Sequence, residues 1–243
     1  MKVLITGGPT NEYIDEIMKI TNMSTGSLSI KLTELFIEAG HEVCLIVNRN
    51  VMGRDLPCKQ HLIETTEDMY QALEKESFNT YDVVIHASAV GDYSPKFSFL
   101  MEDLSEELFE KFQMGDIKNA QDILAVMENP KCKLDDSSKI SSYQKNLTVK
   151  LGLTPKLIAR MREWYPKALL IGFKLLENVS KEELVEVANK LCIKNDMDYI
   201  LANDLAKLRE GNSTRHAVSK EGYTGIDLDT PEDIFEFVKK ERV

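Results

Sequence analysis

The sequence predicts an α/β protein with a mainly parallel, doubly wound sheet and helices on both faces. Five short apolar segments have the length and composition of buried parallel strands, and amphipathic stretches with helical spacing lie between them. With 243 residues, 43% of them hydrophobic, the chain is long enough to bury the core of one α/β domain. This alternation of strand and helix is typical of a Rossmann-like sheet.

The five predicted strands are apolar on both faces, as expected for strands covered by helices above and below. They are residues 2–6, 42–47, 82–88, 168–173 and 198–203. Three helices are predicted between them. In the first, apolar residues recur at helical spacing from Leu28 to Ala39, and Gly40 ends it; the other two span residues 66–76 and 181–194.

The alternation breaks at two places. Residues 92–142 are polar and rich in Lys and Asp, with "NAQDILAVMENP" as the one clear helix, so we expect an excursion away from the sheet. Near the end, "RHAVSKEGYTGIDL" alternates around Gly222 and predicts a short hairpin. The segment "TPEDIFEFVKK" predicts a last helix, with Thr230 as N-cap and Pro231 in its first position.

The charge of the chain restricts its ligands. A formal net charge of −10 argues against a nucleic-acid surface, which needs a concentrated basic stripe. An acidic protein that binds polyphosphate must supply local lysines and backbone N–H groups, and a divalent cation would offset the repulsion. The sequence shows neither a membrane span nor a signal peptide, so we expect a cytoplasmic protein.

The four cysteines favour neither zinc nor a disulfide framework. Cys44, Cys58, Cys132 and Cys192 are far apart in sequence and form no CxxC pair. We interpret them as reduced thiols that are mostly buried, and no residue is predicted as a metal ligand.

Two small-residue segments indicate phosphate binding at the carboxyl edge of the sheet. Gly7 and Gly8, followed by Thr10, come directly after the first strand; paired glycines let the backbone approach a phosphate, but they suit an ordinary tight turn equally well. In "NMSTGS", Ser24 to Gly26 lead into the first helix, whose positive dipole end attracts anions. Capping of the first helix would explain one Ser or Thr, but it does not explain why two small-residue segments lie at the same edge of the sheet. Phosphate binding is therefore the favoured interpretation.

A dinucleotide-binding enzyme is the main competitor. The GxGxxG fingerprint is absent, and the second strand ends in "IVNR" without the acidic residue that would bind an NAD ribose. Arg49 could contact an NADP phosphate, but no Tyr-x-x-x-Lys pair is present. Sequence signatures of P-loop enzymes, α/β-hydrolases and zincins are also missing. Hydride chemistry is therefore disfavoured.

Other polar and aromatic residues follow the later strands. Asp92 could bond a ribose or base, or simply cap a loop; Phe173 could cover a base, or be an ordinary core aromatic. Asn203 and Asp204 end the fifth strand, at the ligand edge or at the start of a turn. Lys139 lies in a polar segment, where a lysine is usually only solvated.

Taken together, these segments resemble phosphopantothenoylcysteine synthetase, the phosphopantothenate–cysteine ligase of coenzyme A biosynthesis. The shared segments, in the family's order, are "ITGGPTNEYID", "TNMSTGSLS", "ASAVGDYSP", "KISS", "LTVKLGLTPKLI", "IGFKLLE" and "DYILAND". The resemblance covers nearly the whole chain and implies one ligase domain over residues 1–243, in which 92–142 form an excursion and a mobile flap. No decarboxylase segment precedes it, so a stand-alone bacterial form is expected.

The resemblance implies a two-step reaction. A nucleoside triphosphate activates the carboxylate of 4′-phosphopantothenate as an acyl-nucleotide, and the amine of cysteine then displaces the nucleotide. CTP is expected rather than ATP, with Mg²⁺ bridging the triphosphate, and the excursion is expected to help form a homodimer. An NADP-dependent reductase and a non-catalytic nucleotide sensor remain the alternatives.

Residue roles are also implied by the resemblance. Asn22 would contact the acyl-phosphate and stabilise the charge that grows when cysteine attacks, and Lys139, on the flap, would favour departure of pyrophosphate. The resemblance implies that the nucleotide is bound by Ser24, Thr25, Gly26, Ala89, Asp92 and Phe173, with Lys190 and Lys194 as weaker phosphate candidates. The segment after the first strand adds Gly7, Gly8 and Thr10 as expected nucleotide-binding residues. The chain departs from the family where "NRSSGKMG" reads "NMSTGSLS", losing an arginine and a lysine, and where the flap keeps only Lys139.

Overall fold

A computed structural model describes residues 1–242, which fall into two compact units. The first unit comprises Met1–Thr10, Asn22–Val90 and the chain from Pro155 onward. The second comprises Asn11–Thr21 and Gly91–Thr154. Strands and helices are numbered here along the chain.

The strands are mostly short, from three to eight residues. They are β1 (Lys2–Gly7), β2 (Asn11–Tyr13), β3 (Lys19–Thr21), β4 (Glu42–Asn48), β5 (Lys59–Ile63), β6 (Val83–His86), β7 (Tyr93–Leu100), β8 (Leu147–Leu153), β9 (Leu169–Leu176), β10 (Tyr199–Asp204), β11 (Arg215–Ser219) and β12 (Gly222–Leu228).

The helices are α1 (Ser27–Glu38), α2 (Thr66–Glu76), α3 (Met101–Gln113), α4 (Ala120–Glu128), α5 (Met161–Trp164), α6 (Lys181–Lys194), α7 (Leu205–Arg209) and α8 (Pro231–Arg242), with a 3-10 turn at Leu157–Arg160.

The first unit is built on one eight-stranded sheet. Its strand order is β12-β11-β10-β9-β6-β1-β4-β5; β11 is antiparallel to both of its neighbours, β10 and β12, and all the other neighbouring pairs are parallel. From β1 the chain proceeds outward to β4 and β5, then crosses back to β6 on the other side of β1. The strand order therefore reverses between β1 and β6, which is where doubly wound sheets bind their ligands.

Alternate residues of the central strands point to two separate cores. Val3 and Ile5 of β1 face the layer that holds α1 and α8, where Phe36 and Phe235 pack edge to face with ring centroids 4.9 Å apart. Leu4 faces the other layer, which is formed by α2, α5 and α6. Burying both faces explains why these strands are continuous apolar runs.

The predicted strands and helices of the first unit are confirmed. Helices α2 and α6 have the predicted bounds, and the hairpin of β11 and β12 turns just before Gly222. Thr230 caps α8 as expected: its Oγ1 accepts from Asp233 N at 3.1 Å, and its own N–H donates to the Asp233 carboxylate. Strand β5 was not predicted, because as a partly exposed edge strand it has no continuous apolar run.

The second unit contains two antiparallel pairs, β2 with β3 and β7 with β8, and the helices α3 and α4. Helix α4 matches the helix predicted in the excursion, whereas α3 was not predicted. Leu104 is the only buried side chain of α3, although Met101, Leu104, Leu108 and Phe112 recur at helical spacing, a pattern that sequence reasoning missed. Within residues 1–242, no helix has the length and apolar content needed to cross a bilayer.

Candidate active site

The loops that follow β1 and β6 are bonded to each other beyond the ends of the strands. Ala89 N donates to Gly8 O at 3.0 Å, and Thr10 N donates to Ala89 O at 3.3 Å. The buried side chain of Asn48 fixes the first loop from its other side, because its Nδ2 donates to Pro9 O at 2.9 Å. The two loops therefore form one rigid rim at the carboxyl edge of the sheet.

The two glycine-containing segments pack against each other. Gly8 and Gly26 both have positive φ, of 76° and 72°, in the region that favours glycine. A Cβ atom on Gly26 would lie 2.8 Å from Val51 Cγ2 and 3.1 Å from the Cα of Gly8. A Cβ on Gly7 would lie 1.8 Å from Ser29 Oγ, which belongs to α1. These glycines bring the first turn of α1 onto the loop after β1.

The turn from Ser24 to Gly26 presents the amino end of α1. Gly26 is the N-cap and makes no side-chain capping bond, and the first turn of α1 contains no acidic residue. Thr25 Oγ1 accepts from Ser27 N at 3.3 Å, and Ser24 Oγ accepts from Gly26 N at 3.4 Å, so both hydroxyls are held locally. The partial positive charge at the start of α1 is therefore not offset by a carboxylate of its own first turn.

Asn22 lies across this rim. Its Nδ2 donates to Val90 O at 2.9 Å and lies 3.5 Å from Ala89 O, so the loop after β6 holds an exposed side chain in a defined place. Phe173 is half-buried in the middle of β9, one residue beyond the level at which the neighbouring β6 ends, and packs on the core beneath α1 and α8. Asn22, Ala89 and the Ser24 to Gly26 turn thus meet at the reversal of strand order.

Three residues that were expected to bind the nucleotide lie elsewhere or have other side-chain partners. Thr10 is buried, and its Oγ1 accepts a hydrogen bond from Thr66 Oγ1 at 3.0 Å, while its backbone N–H donates to Ala89 O in the rim. Lys190 pairs with Glu186 on the exposed side of α6, and Lys194 ends that helix. Because α6 runs antiparallel to the strands, both lysines lie toward the amino ends of the strands, away from Gly7 and Gly8.

The second unit contains Asp92 and Lys139, both exposed. The backbone carbonyl of Asp92 accepts from Thr154 N at 3.1 Å. The residue after Lys139 is held by Asp15, a buried carboxylate that accepts from Ile140 N at 2.9 Å.

Asp15 also accepts from Ile17 N and Met18 N, at 2.7 and 2.6 Å. The backbone bonds from Met18 and Ile140 hold the pKa of the Asp15 carboxyl below its usual range. Sequence reasoning missed Asp15, although it is the last residue of the shared segment "ITGGPTNEYID".

His86 is a second residue that the sequence did not reveal. It ends β6, is 7% exposed, and its Nδ1 lies 2.8 Å from Thr6 Oγ1 of β1. Burial lowers the pKa of His86 to about 4, because the imidazolium form would lose its hydration there. A neutral His86 and Thr6 therefore join the two strands whose loops form the rim.

Mild acid is expected to destabilise the fold through His86. Its folded pKa of about 4 lies below the ordinary 6.5, so the unfolded chain takes up the proton first as the pH falls. The stabilisation that comes from keeping His86 neutral in the folded state is fully present above pH 6.5 and is lost between pH 6.5 and about pH 4. By about pH 5, the free energy of unfolding should have fallen by about 2 kcal/mol. Urea unfolding of the wild type and of His86→Gln, at about pH 7.5 and about pH 5, measures this change in the free energy of unfolding. An equal pH dependence in the two proteins would contradict this assignment.

Comparisons with known proteins identify the family. Residues 1–133 match the profile of the DNA/pantothenate metabolism flavoprotein C-terminal domain. The crystal structure of a DNA/pantothenate metabolism flavoprotein from Streptococcus pneumoniae is 33% identical, with a TM-score of 0.79, and the match covers 99% of this chain and 97% of that one.

Two curated relatives are the coenzyme A biosynthesis bifunctional proteins CoaBC of Thermococcus kodakarensis and Methanocaldococcus jannaschii. They are 33% and 28% identical over 84% and 98% of this chain. The chain spans 41% and 50% of their length, about half of each relative. These matches confirm the resemblance found in the sequence, and the chain belongs to the family of DNA/pantothenate metabolism flavoprotein C-terminal domains.

Proposed function

We propose that this chain is a phosphopantothenate–cysteine ligase. In the first step, the carboxylate of 4′-phosphopantothenate attacks the α-phosphorus of CTP, forming an acyl-cytidylate and releasing pyrophosphate. In the second, the amine of cysteine attacks the acyl carbon, forming the amide bond and releasing CMP. Membership of the family supports this, as do the curated relatives, which are named for coenzyme A biosynthesis.

The proposal rests on one observation: the amino end of α1 and the side-chain amide of Asn22 lie together on the rim. The amino end of α1, reached through Ser24 to Gly26, offers N–H groups and a positive dipole end to phosphate. Asn22, anchored on the carbonyl of Val90, places an amide beside that turn. A phosphate bound at the turn would bring the reacting phosphorus within reach of this amide.

Each rim residue then has a chemical task. Gly7, Gly8 and Gly26 let the first turn of α1 pack closely on the loop after β1, and Ser24 and Thr25 in that region offer hydroxyls to the nucleotide. Asn22 stabilises charge on the acyl-phosphate while cysteine attacks, as a fixed oxyanion donor does. Ala89 and Phe173 flank the nucleoside, and preorganised alignment of the reacting groups supplies much of the rate.

Mg²⁺ fits this donor set as a cation held mainly by the substrate. The rim offers hydroxyl, amide and backbone groups, and the first turn of α1 has no carboxylate that could form a cage for the ion. Mg²⁺ commonly keeps its waters and binds through substrate phosphates in this way. When bound, it supplies positive charge that offsets the triphosphate in an acidic protein.

Lys139→Ala is expected to slow formation of the acyl-cytidylate by about tenfold or more, because the lysine charge offsets the charge of the departing pyrophosphate. Capture of the preformed intermediate by cysteine should change less. Rapid-quench measurement of pyrophosphate in a single turnover separates the two steps. Lys145→Ala, at another exposed lysine of the second unit, is the control. An intermediate that forms at the normal rate in Lys139→Ala would remove the lysine from this step.

A homodimer is part of the proposal. Helix α4 has no buried residue and exposes Ile123, Leu124 and Met127 by 40%, 53% and 43%. A second copy of the chain would cover this apolar face. Light scattering coupled to gel filtration measures the mass, and a monomer at assay concentration would exclude the dimer.

One assay tests the function against its alternatives. The chain is incubated with CTP or ATP, phosphopantothenate and Mg²⁺, with and without cysteine, and pyrophosphate, nucleoside monophosphate and amide product are followed. A ligase forms all three, with the nucleoside monophosphate and the amide released only when cysteine is present. A nucleotide sensor binds CTP and forms none, and a reductase binds a nicotinamide cofactor instead; either result would overturn the proposal.

A further inference from the structure

A polar cluster lies at the opposite, amino end of the sheet in the first unit. Cys44 is on β4, His61 is on the neighbouring edge strand β5, and Glu76 is the last residue of α2. Their ligand atoms, one sulfur, one ring nitrogen and one carboxylate oxygen, all lie within 4.8 Å of one another. We propose that these three side chains form a binding site for a zinc ion.

The two oxygens of Glu76 have different partners. Oε2 accepts from the buried Tyr81 hydroxyl and, at 3.2 Å, from Asn79 Nδ2. Oε1 lies 2.6 Å from both Lys59 Nζ and His61 Nε2. The first oxygen is thus held by neutral donors, as the outer oxygen of a metal-bound carboxylate is, while the second already attracts positive charge.

Charge balance would allow the zinc ion to replace the Lys59 ammonium beside Glu76. Glu76 is fully buried, and the ammonium of Lys59, whose side chain is 53% exposed, offsets its charge. If Zn²⁺ binds and the Cys44 thiol loses its proton to solvent, the ion, the thiolate and the carboxylate again sum to zero. Lys59 keeps its proton and moves into water. The buried cluster therefore stays neutral in both states, which limits the cost of desolvation.

The donor set selects the metal. Thiolate and imidazole ligands suit a borderline-soft ion such as Zn²⁺ and disfavour Mg²⁺. Zinc–sulfur and zinc–nitrogen distances of about 2.3 and about 2.0 Å require only small side-chain shifts, with the close pair of His61 and Glu76 opening slightly. A water molecule would complete a tetrahedron. His61, 19% exposed on an edge strand, gives the ion a path from solvent.

The test uses Co²⁺ as a spectroscopic probe on the chelator-treated full chain. The expected result is a near-ultraviolet thiolate-to-cobalt band with intense tetrahedral d–d bands, which Zn²⁺ abolishes and Mg²⁺ does not. Cys44→Ala should remove the thiolate band, whereas Cys192→Ala, at another buried cysteine, should keep it. His61→Gln should weaken Zn²⁺ binding about tenfold or more and covers the case in which Cys44→Ala does not fold.

Lys59→Ala separates a metal site from a simple ion-pair network. Removing the competing cation should tighten Zn²⁺ binding and enlarge the Zn²⁺-dependent rise in Tm relative to the wild type. An ion-pair network alone predicts a lower Tm that Zn²⁺ does not restore. Absence of the thiolate band in the wild type, or an undiminished band in Cys44→Ala, would overturn the proposal. These outcomes do not depend on the ligase activity.

Discussion

Asn22→Ala is expected to lower kcat by about 10²–10³, equivalent to about 2.7–4 kcal/mol of transition-state stabilisation. The amide is fixed by Val90 O at 2.9 Å, so it needs no reorganisation when charge develops on the acyl-phosphate. Because this donor acts mainly in the transition state, the affinity for CTP should change much less than the turnover. Steady-state kinetics with pyrophosphate detection and CTP binding by calorimetry measure the two effects.

Met23→Ala is the matched control for Asn22→Ala, because Met23 lies in the same turn and its side chain is fully exposed. That variant should retain activity close to the wild type. Near-normal turnover in Asn22→Ala would remove the residue from the mechanism. Equal losses in both variants would mean that the turn as a whole, and not the amide, determines the rate.

Gly26→Ala is expected to destabilise the fold and to weaken CTP binding at least about tenfold in the protein that remains folded. An alanine with φ near 72° costs about 1–2 kcal/mol. Its Cβ would also lie 2.8 Å from Val51 and 3.1 Å from the backbone of Gly8, and such overpacking adds about 1–3 kcal/mol. The turn can relieve this contact only by moving the start of α1 off the rim.

Gly40→Ala provides the control for Gly26→Ala. Gly40 has a φ of 77°, and a Cβ there would have nothing within 4 Å, so that variant isolates the backbone cost. Urea unfolding should show about 1–2 kcal/mol of destabilisation for Gly40→Ala and about twice that for Gly26→Ala, with CTP affinity lost only in the latter. Equal destabilisation and equal affinity in the two variants would show that the close approach to Gly8 is unimportant.

Much of the fold could be predicted from periodicity. The five strands predicted from sequence are central strands, and each is a continuous apolar run because both of its faces are buried. Helices α2 and α6 have clear capping residues, Thr65 and Ser180, and clear amphipathic faces. Strand β5 escaped prediction because it is partly exposed and lacks a continuous apolar run. Helix α3 was overlooked, although its apolar residues from Met101 to Phe112 recur at helical spacing, because the surrounding segment is rich in charged residues.

The candidate site could be predicted only in part. Small residues after β1 and before α1 are visible as "GGPT" and "NMSTGS", and their place in the fold follows from the edge rule for parallel sheets. The supports of the site were not visible. Asn48 reaches Pro9 from 39 residues away, and Asp15 reaches Ile140 from 125 residues away, so no local pattern marks them.

The sequence by itself determined the class of sheet, the edge that carries the glycines and the family to which the chain belongs, because local periodicity and short ordered motifs encode these features. Only the tertiary structure decided which side chains lie close to one another in space. It set Lys190 and Lys194 at the far end of the strands and gathered Cys44, His61 and Glu76 from two strands and a helix. Such groupings depend on strand pairing and helix packing over long sequence separations, which one-dimensional spacing does not record.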